Sequence, residues 1–289
     1  MKKVIFDCDN TMGLPGKDVD DGLALLYLLG RDDIVLKGVT TTYGNSTLDE
    51  VYNNTERMFS HLGLTEVPLI RGAYSKAARI SEAAEFLSRE AASNPGEITV
   101  LATGSLTNLY GAYMLDSDFF KNIKEIVLMG GITEPLFINK VYLEELNFSC
   151  DSLAALKVLN TGDKVSILTG NTCLQAFFGE TELRRLKGKN KNSIYKYISK
   201  NIEPWYDFSR ETFGIYGFHN WDVVAAVYVT NPELFNNCIK YIKSTETDLA
   251  TGLIKICSKN EVLSKINIPE GINNIERFKD IIFEAWDRV

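Results

Sequence analysis

Residues 3–31, KVIFDCDNTMGLPGKDVDDGLALLYLLGR, decide how the chain folds. Val4 to Phe6 is too short and too apolar for an amphipathic helix, and it stops abruptly at polar residues, as a central strand covered on both faces does. Asp20 and Asp21 open a run of small and apolar residues closed by Gly30, which predicts a helix over 20–30. Five aspartates, Asp7, Asp9, Asp18, Asp20 and Asp21, lie between that strand and that helix. Helix capping needs one or two carboxylates. Five beside a core repel one another and lose hydration unless a cation or polar ligand compensates, so the stretch predicts a metal site.

The same alternation continues outward. Strands are expected over Ile34–Thr41, Val67–Ile70, Glu97–Thr103, Ile123–Met129 and Lys164–Leu168, with helices over 46–61, 80–93, 105–115 and 151–159. Strands of β-branched residues that give way to polar or glycine-bearing turns and then helices predict an α/β fold: an open, mainly parallel sheet with helices on both faces, Rossmann-like. Residues 132–148 read as a loop, and 180–212 as a solvated helix pair over the sheet edge, interrupted near Pro204, rather than an anion-binding segment. The segment 218–229 reads as a helix start; LIKIC (253–257) and INIPEGIN (266–273) read as a hairpin before a closing helix over 275–288. With no repeat or linker, residues 1–289 are expected to form one domain.

Composition narrows the partners. A net charge of −7 and the lack of a basic, aromatic-interleaved stretch argue against nucleic acid. Five scattered cysteines without a CxxC pair predict reduced thiols in a cytoplasmic protein. MKKVIFDCD is no signal peptide, and no run of about 18 apolar residues suggests a membrane span.

In a parallel sheet, ligands collect beyond the carboxyl ends of the strands. Asp7 and Asp9, Gly44 and Asn45, Thr103, Met129 to Gly131 and Asn171 all fall at such ends, joined by Glu145, Asn147 and Asp222 from later loops. Carboxylates and amides without lysine suit a hard cation with oxygen ligands, Ca²⁺ or Mg²⁺, and a polyhydroxylated substrate. A carboxylate beside a cation-activated water is then a candidate general base.

Asp7-Cys8-Asp9, Asp20-Asp21 before GLALL, GN at 44–45, ATGSLTNL at 102–109, LMGG at 128–131, Glu145-Leu146-Asn147 with Asp151, and Asp222 before VVAA occur in an order that resembles the nucleoside hydrolases of the inosine-uridine type. That resemblance implies the nucleoside hydrolase fold and Ca²⁺-assisted hydrolysis of the N-glycosidic bond of ribonucleosides to ribose and free base, in nucleoside catabolism and purine or pyrimidine salvage. It also implies a homo-oligomer, dimer or tetramer. Carried over by position, it makes Asp9, Asp21, Asp222 and the carbonyl of Thr103 the calcium ligands, and Asp9 the base. Asp20, Asn139, Glu145 and Asn147 would hold the ribose hydroxyls, with Asn45 and Met129 lining the sugar pocket. Glu144 is the alternative to Glu145 should the register shift by one.

Two departures stand out. NTMGLPGKDV, ten residues, separates Asp9 from Asp20 where the family usually has about three; the loop either bulges outward or brings Asp18 in place of a neighbour. Trp221 stands directly before Asp222, where many members carry a histidine that protonates the leaving base. Trp221 is suited to stacking, so protonation falls to His219, to Tyr206 or Tyr216, or to solvent. Two other readings remain open. VIFDCDNTM also resembles the opening motif of haloacid-dehalogenase-like phosphatases, with Asp7 as nucleophile, though a matching late lysine and acidic pair is absent. A non-catalytic nucleoside or sugar binder is the other.

Overall fold

The computed structural model describes residues 1–162, 164–189, 191–261 and 263–289. A nine-stranded sheet runs through its centre. Its strands are β1 (Lys2–Cys8), β2 (Ile34–Thr41), β3 (Leu69–Ile70), β4 (Ile98–Ala102), β5 (Glu125–Met129), β8 (Val165–Leu168), β11 (Ile239–Ile242), β12 (Ile256–Cys257) and β13 (Ser264–Asn267), in the order β12-β11-β13-β8-β5-β4-β1-β2-β3. All pairings from β13 through to β3 are parallel; β11 is antiparallel to both its neighbours. Two small antiparallel pairs stand apart, the hairpin of β6 (Leu136–Ile138) with β7 (Val141–Leu143), and β9 (Phe177–Phe178) with β10 (Phe218–His219).

Helices cover both faces, as expected. Strand alternation sends Val4, Phe6 and Cys8 into one core, shared with α1 (Asp20–Leu29), α2 (Leu48–Leu62), α10 (Ser193–Phe213), α11 (Trp221–Thr230) and α13 (Ile275–Trp286). Ile5 points into the other, with α3 (Glu82–Ser93), α4 (Thr107–Leu115), α5 (Phe119–Asn122) and α7 (Ser152–Leu159). The remaining helices, α6 (Asn147–Cys150), α8 (Gly170–Cys173), α9 (Glu180–Gly188) and α12 (Glu246–Leu249), are short connectors or edge elements. Helix α1 is buried from Asp20 to Leu28, because α11 and α13 close over its outer side. Gly30 ends it under α13: a Cβ there would stand 1.9 Å from the Ala285 carbonyl oxygen. Among the described residues no helix is long and apolar enough to cross a membrane.

Four expectations need correction. Residues 132–148 carry β6, β7 and the start of α6 rather than a plain loop, since Leu136, Ile138 and Leu143 alternate inward. LIKIC and INIPEGIN do not pair with each other, because β11 lies between their strands. Pro204 does not interrupt its helix: α10 runs unbroken through it, and the break falls between α9 and α10. Nor is α10 simply a solvated edge helix, as its inner face shows below.

Candidate active site

A cavity with about 200 Å³ open to water lies beyond the carboxyl ends of β1, β4, β5 and β8. One wall comes from the β1–α1 connection and the turns after β2, β4 and β5. Asp18, Asp20, Asn45, Thr103 and Met129 face the cavity from it, joined by Glu144, Glu145 and Asn147 from the turn between β7 and α6 and by Asp222 of α11. Trp205, Ser209 and Phe213 of α10 form another, continued by Ile215, by Leu136, Ile138 and Leu143 of the β6–β7 pair, and by His219 and Trp221.

Just beneath the first wall Asp9 follows β1 and is fully buried. The Asn45 backbone N–H donates to its Oδ2 at 2.5 Å, and the Asn45 amide reaches Oδ1 at 3.4 Å. Two glycines leave room for this carboxylate: a Cβ on Gly44 would lie 2.0 Å from Oδ2, and one on Gly104 3.2 Å from Cγ. Asp21, on the first turn of α1, hydrogen-bonds to Asp9 and accepts from the Thr103 hydroxyl at 2.5 Å. Its Oδ2 is buried with no partner among the described residues. Asp20 accepts from the Asp222 backbone N–H at 3.0 Å and hydrogen-bonds to the Asp18 and Asp222 side chains.

Burial raises the pKa of Asp9, Asp18, Asp20, Asp21 and Asp222 above the usual carboxylate range, and their mutual repulsion adds to it for all five. Among the described residues none of them is paired with lysine or arginine. The chemistry of the donors, all oxygen, and the orphaned Asp21 Oδ2 fit a hard cation at Asp9, Asp21, Asp222 and the Thr103 carbonyl. Among the described residues, however, no three acidic, histidine or cysteine side chains already stand as a ligand cage. Asp9 and Asp21 stand side by side, and two neighbouring carboxylates are reconciled only by a shared proton or by a cation between them.

Several expected sugar ligands are engaged by the protein itself. The Asn147 amide donates to the carbonyls of Thr103 (2.8 Å) and Met129 (2.9 Å), tying the ends of β4 and β5 together and leaving Oδ1 for other partners. Both Glu145 oxygens accept backbone N–H groups, from Gly131, Phe148 and Ser149, so this carboxylate also anchors the turn before α6. Asn139 does not line the cavity. It occupies the β6–β7 turn with φ of 53°, a left-handed conformation that asparagine tolerates, and its amide donates to the Phe213 carbonyl. It bridges the turn to the end of α10 instead of reaching a ligand.

His219 and Trp221 both face the cavity, their rings 5.2 Å apart. Burial pushes the His219 imidazole down to about 4, so it is neutral near pH 7, and its Nδ1 is shut away without a partner among the described residues. A neutral ring with a hidden Nδ1 is poorly placed to protonate a leaving base. Tyr206 and Tyr216 are absent from the lining. Asp7 points the other way, accepting from Thr40 (2.5 Å) and Asn108 (2.8 Å), with burial raising it to about 7. It lines no part of the cavity, which removes the geometry a nucleophilic Asp7 would need.

The ten-residue insertion does not bulge outward freely. Asn54 of α2 donates to the carbonyls of Asn10 and Met12, Lys17 donates to the Asn45 carbonyl at 2.7 Å, and Gly13 and Gly16 take positive φ where the loop meets Asn201 and Phe208 of α10. Asp18 thus reaches the cavity without displacing Asp9 or Asp21. What the residue-by-residue reading missed is the α10 wall. Trp205, Ser209 and Phe213 repeat every fourth residue, the spacing of one helix face, and that stripe was the available signal.

Known proteins share this architecture. The structure superposes on a plant nucleoside hydrolase with a TM-score of 0.87, at 21% identity, over 99% of this chain and 98% of that one. It superposes on a purine-preferring ribonucleoside hydrolase from Gardnerella vaginalis with a TM-score of 0.83, also at 21% identity, over 99% and 98%. Uridine nucleosidase 1 of Arabidopsis thaliana is 29% identical across 81% of this chain and 75% of its own length. The inosine-uridine preferring nucleoside hydrolase of Crithidia fasciculata is 30% identical across 66% and 67%. Residues 4–279 match the sequence profile of one family along nearly their whole length, and the chain belongs to the inosine-uridine preferring nucleoside hydrolases, N-glycosyl hydrolases of ribonucleosides.

Proposed function

We propose that this enzyme hydrolyses ribonucleosides to ribose and free base with a Ca²⁺ ion held by Asp9, Asp21, Asp222 and the Thr103 carbonyl. The observation that carries the reading is the set of buried carboxylates without a cationic side chain, placed where the cavity meets the strand ends. When bound, the ion would lower the pKa of water and balance the charge of its ligands.

The protein's own groups do the rest. Asp9, held by Asn45, takes a proton from the attacking water. Asp20 and the Asn147 Oδ1 hold ribose hydroxyls, and the surrounding carboxylates stabilise the positive charge that develops on the sugar as the C–N bond lengthens. Water adds its oxygen to the anomeric carbon, and the base leaves with the electron pair of the broken bond. Trp205, Phe213 and Trp221 offer faces for that base to stack on. It collects its proton from solvent, consistent with a neutral His219 and no tyrosine in the lining. Free thiols support a cytoplasmic setting, and family resemblance supports a homo-oligomer.

A reducing-sugar assay over purine and pyrimidine ribosides, before and after chelation and Ca²⁺ return, tests the reading. Calcium-restored ribose release that disappears in Asp9→Ala supports it. Full activity in the chelated enzyme contradicts the cation, and silence on every riboside contradicts the reaction.

A further inference from the structure

One carboxylate of the cavity has no task in the reaction as proposed. Glu145 is engaged by the backbone N–H groups of Gly131, Phe148 and Ser149, and Asp20 by the Asp222 N–H. Glu144 lines the same cavity, is exposed, and makes no hydrogen bond or ion pair among the described residues. It follows Leu143 of β7, and the β6–β7 turn is tied to the end of α10 by the Asn139 amide and the Phe213 carbonyl. Asp18 comes to the same helix on the inserted loop, whose Gly16 lies against Phe208. Acidic groups therefore continue from the strand ends to the wall that carries Trp205 and Phe213, and no lysine or arginine of the described residues lines the cavity. Trp205 and Trp221 are only half-buried, which leaves indole surface for a ligand. Aromatic faces beside carboxylates, with no cationic side chain to compete, attract a planar group that carries positive charge.

The departing base points the same way. A neutral base must gain a proton as its bond to the sugar breaks. Trp221 stands beside Asp222, no tyrosine faces the cavity, and the His219 Nδ1 is shut away, so the lining is poor in groups to supply one. We propose that the preferred substrates are ribosides of a cationic base, with the ring nitrogen quaternised by the sugar as in an N-ribosylpyridinium, and that Glu144 selects for that charge. The inference deepens the hydrolase reading and rests on it for the bond that breaks. The water oxygen bonds to the anomeric carbon and its proton passes to Asp9. The electron pair of the C–N bond goes to the ring nitrogen and cancels its charge, so the base leaves neutral and needs no proton. Charge selection resides in binding, because the attraction between Glu144 and the ring is present before the bond stretches.

The test measures kcat and KM on 1-(β-D-ribosyl)pyridinium-3-carboxamide, on its 3-carboxylate analogue, which has the same ring without net charge, and on uridine, for wild type and Glu144→Gln. The expected result is a kcat/KM on the cation at least about tenfold above either other riboside. That gap should narrow at least about threefold in Glu144→Gln, through KM, and should shrink as salt is added. Equal kcat/KM on charged and uncharged ribosides overturns the proposal, as does a gap that Glu144→Gln leaves unchanged or a loss in that variant equal on all three. A second arm removes the intrinsic lability of the charged bond. Calorimetry compares 1-methylpyridinium-3-carboxamide with neutral pyridine-3-carboxamide, neither of which has a bond to cleave. The cation should bind at least about tenfold more tightly to wild type and lose that advantage in part in Glu144→Gln. Should no riboside of either kind be cleaved, the hydrolase reading fails alone, and the binding pair still decides the charge preference: equal affinities, or no binding of the cation, overturn it.

Discussion

The two walls of the cavity are made by opposite means. The carboxylate wall comes from a strand end and the first turn of a buried helix. Its side chains are locked by backbone donors, by glycines that leave them room and by one another. The α10 wall is a single helix face of Trp205, Ser209 and Phe213, which line the cavity, with Trp205 and Phe213 packed against Phe208. Fixed charge belongs to bond breaking, where preorganisation matters most. A wall of stacking surface belongs to holding a planar group, where a substitution alters which group fits. The contrast predicts that chemistry and choice of base are separable here by mutation.

The largest effect breaks the first wall. Asp9→Ala or Asp222→Ala is expected to lower kcat by about a thousandfold or more, because each removes a charge for which the site offers no substitute. Steady-state kinetics on a riboside check it, and a loss under tenfold would dissolve the contrast between the walls. Next, chelation is expected to lower Tm by several degrees, and Ca²⁺ to restore it, since a ligand that binds only the folded form stabilises it by about 2.7 kcal/mol at a hundred times its Kd. Differential scanning calorimetry reads the shift.

Breaking the second wall has a smaller and different signature. Trp205→Ala is expected to raise KM about tenfold with kcat largely kept, since stacking on one aromatic face is worth about 1–3 kcal/mol per base. A fall in kcat alone would mean that α10 takes part in the chemistry. The smallest effect belongs to His219. Folded, its imidazole sits at about 4; unfolded, it returns to the ordinary 6.5. Between those values the unfolded chain binds more protons, so stability falls as pH drops from 6.5 towards 4 and is level above. His219→Gln should flatten that slope in denaturant titrations and change kcat near pH 7 by less than about threefold. A larger kcat loss that titrates with a single group would restore His219 as the proton donor.

How well each part could be read from the chain follows from how local it is. The parallel core and the position of Asp9, Asp20 and Asp21 were legible because one contiguous stretch carries strand, loop and helix cap together. Residues 132–148 were not, since β6 and β7 have three residues each and gain their meaning only from the cavity they close. Strand β11 was hidden because its residues look like any short polar-flanked run until β12 and β13 flank it. Asn139 illustrates the opposite error: an amide in a polar loop looked like a ligand, yet a left-handed turn and a contact to Phe213 hold it outside. Asp7 and Asp9 lie two residues apart, and only tertiary contacts distinguish a carboxylate bonded to Thr40 and Asn108 from one bonded to Asn45.

Calorimetric titration of Ca²⁺ into wild type and into Asp21→Asn tests the central claim, that the buried carboxylates form a cation site, most directly. Stoichiometric binding to wild type, accompanied by proton release and lost or weakened at least about tenfold in Asp21→Asn, is the predicted result. Absence of binding to wild type, in enzyme that still releases ribose, would contradict it.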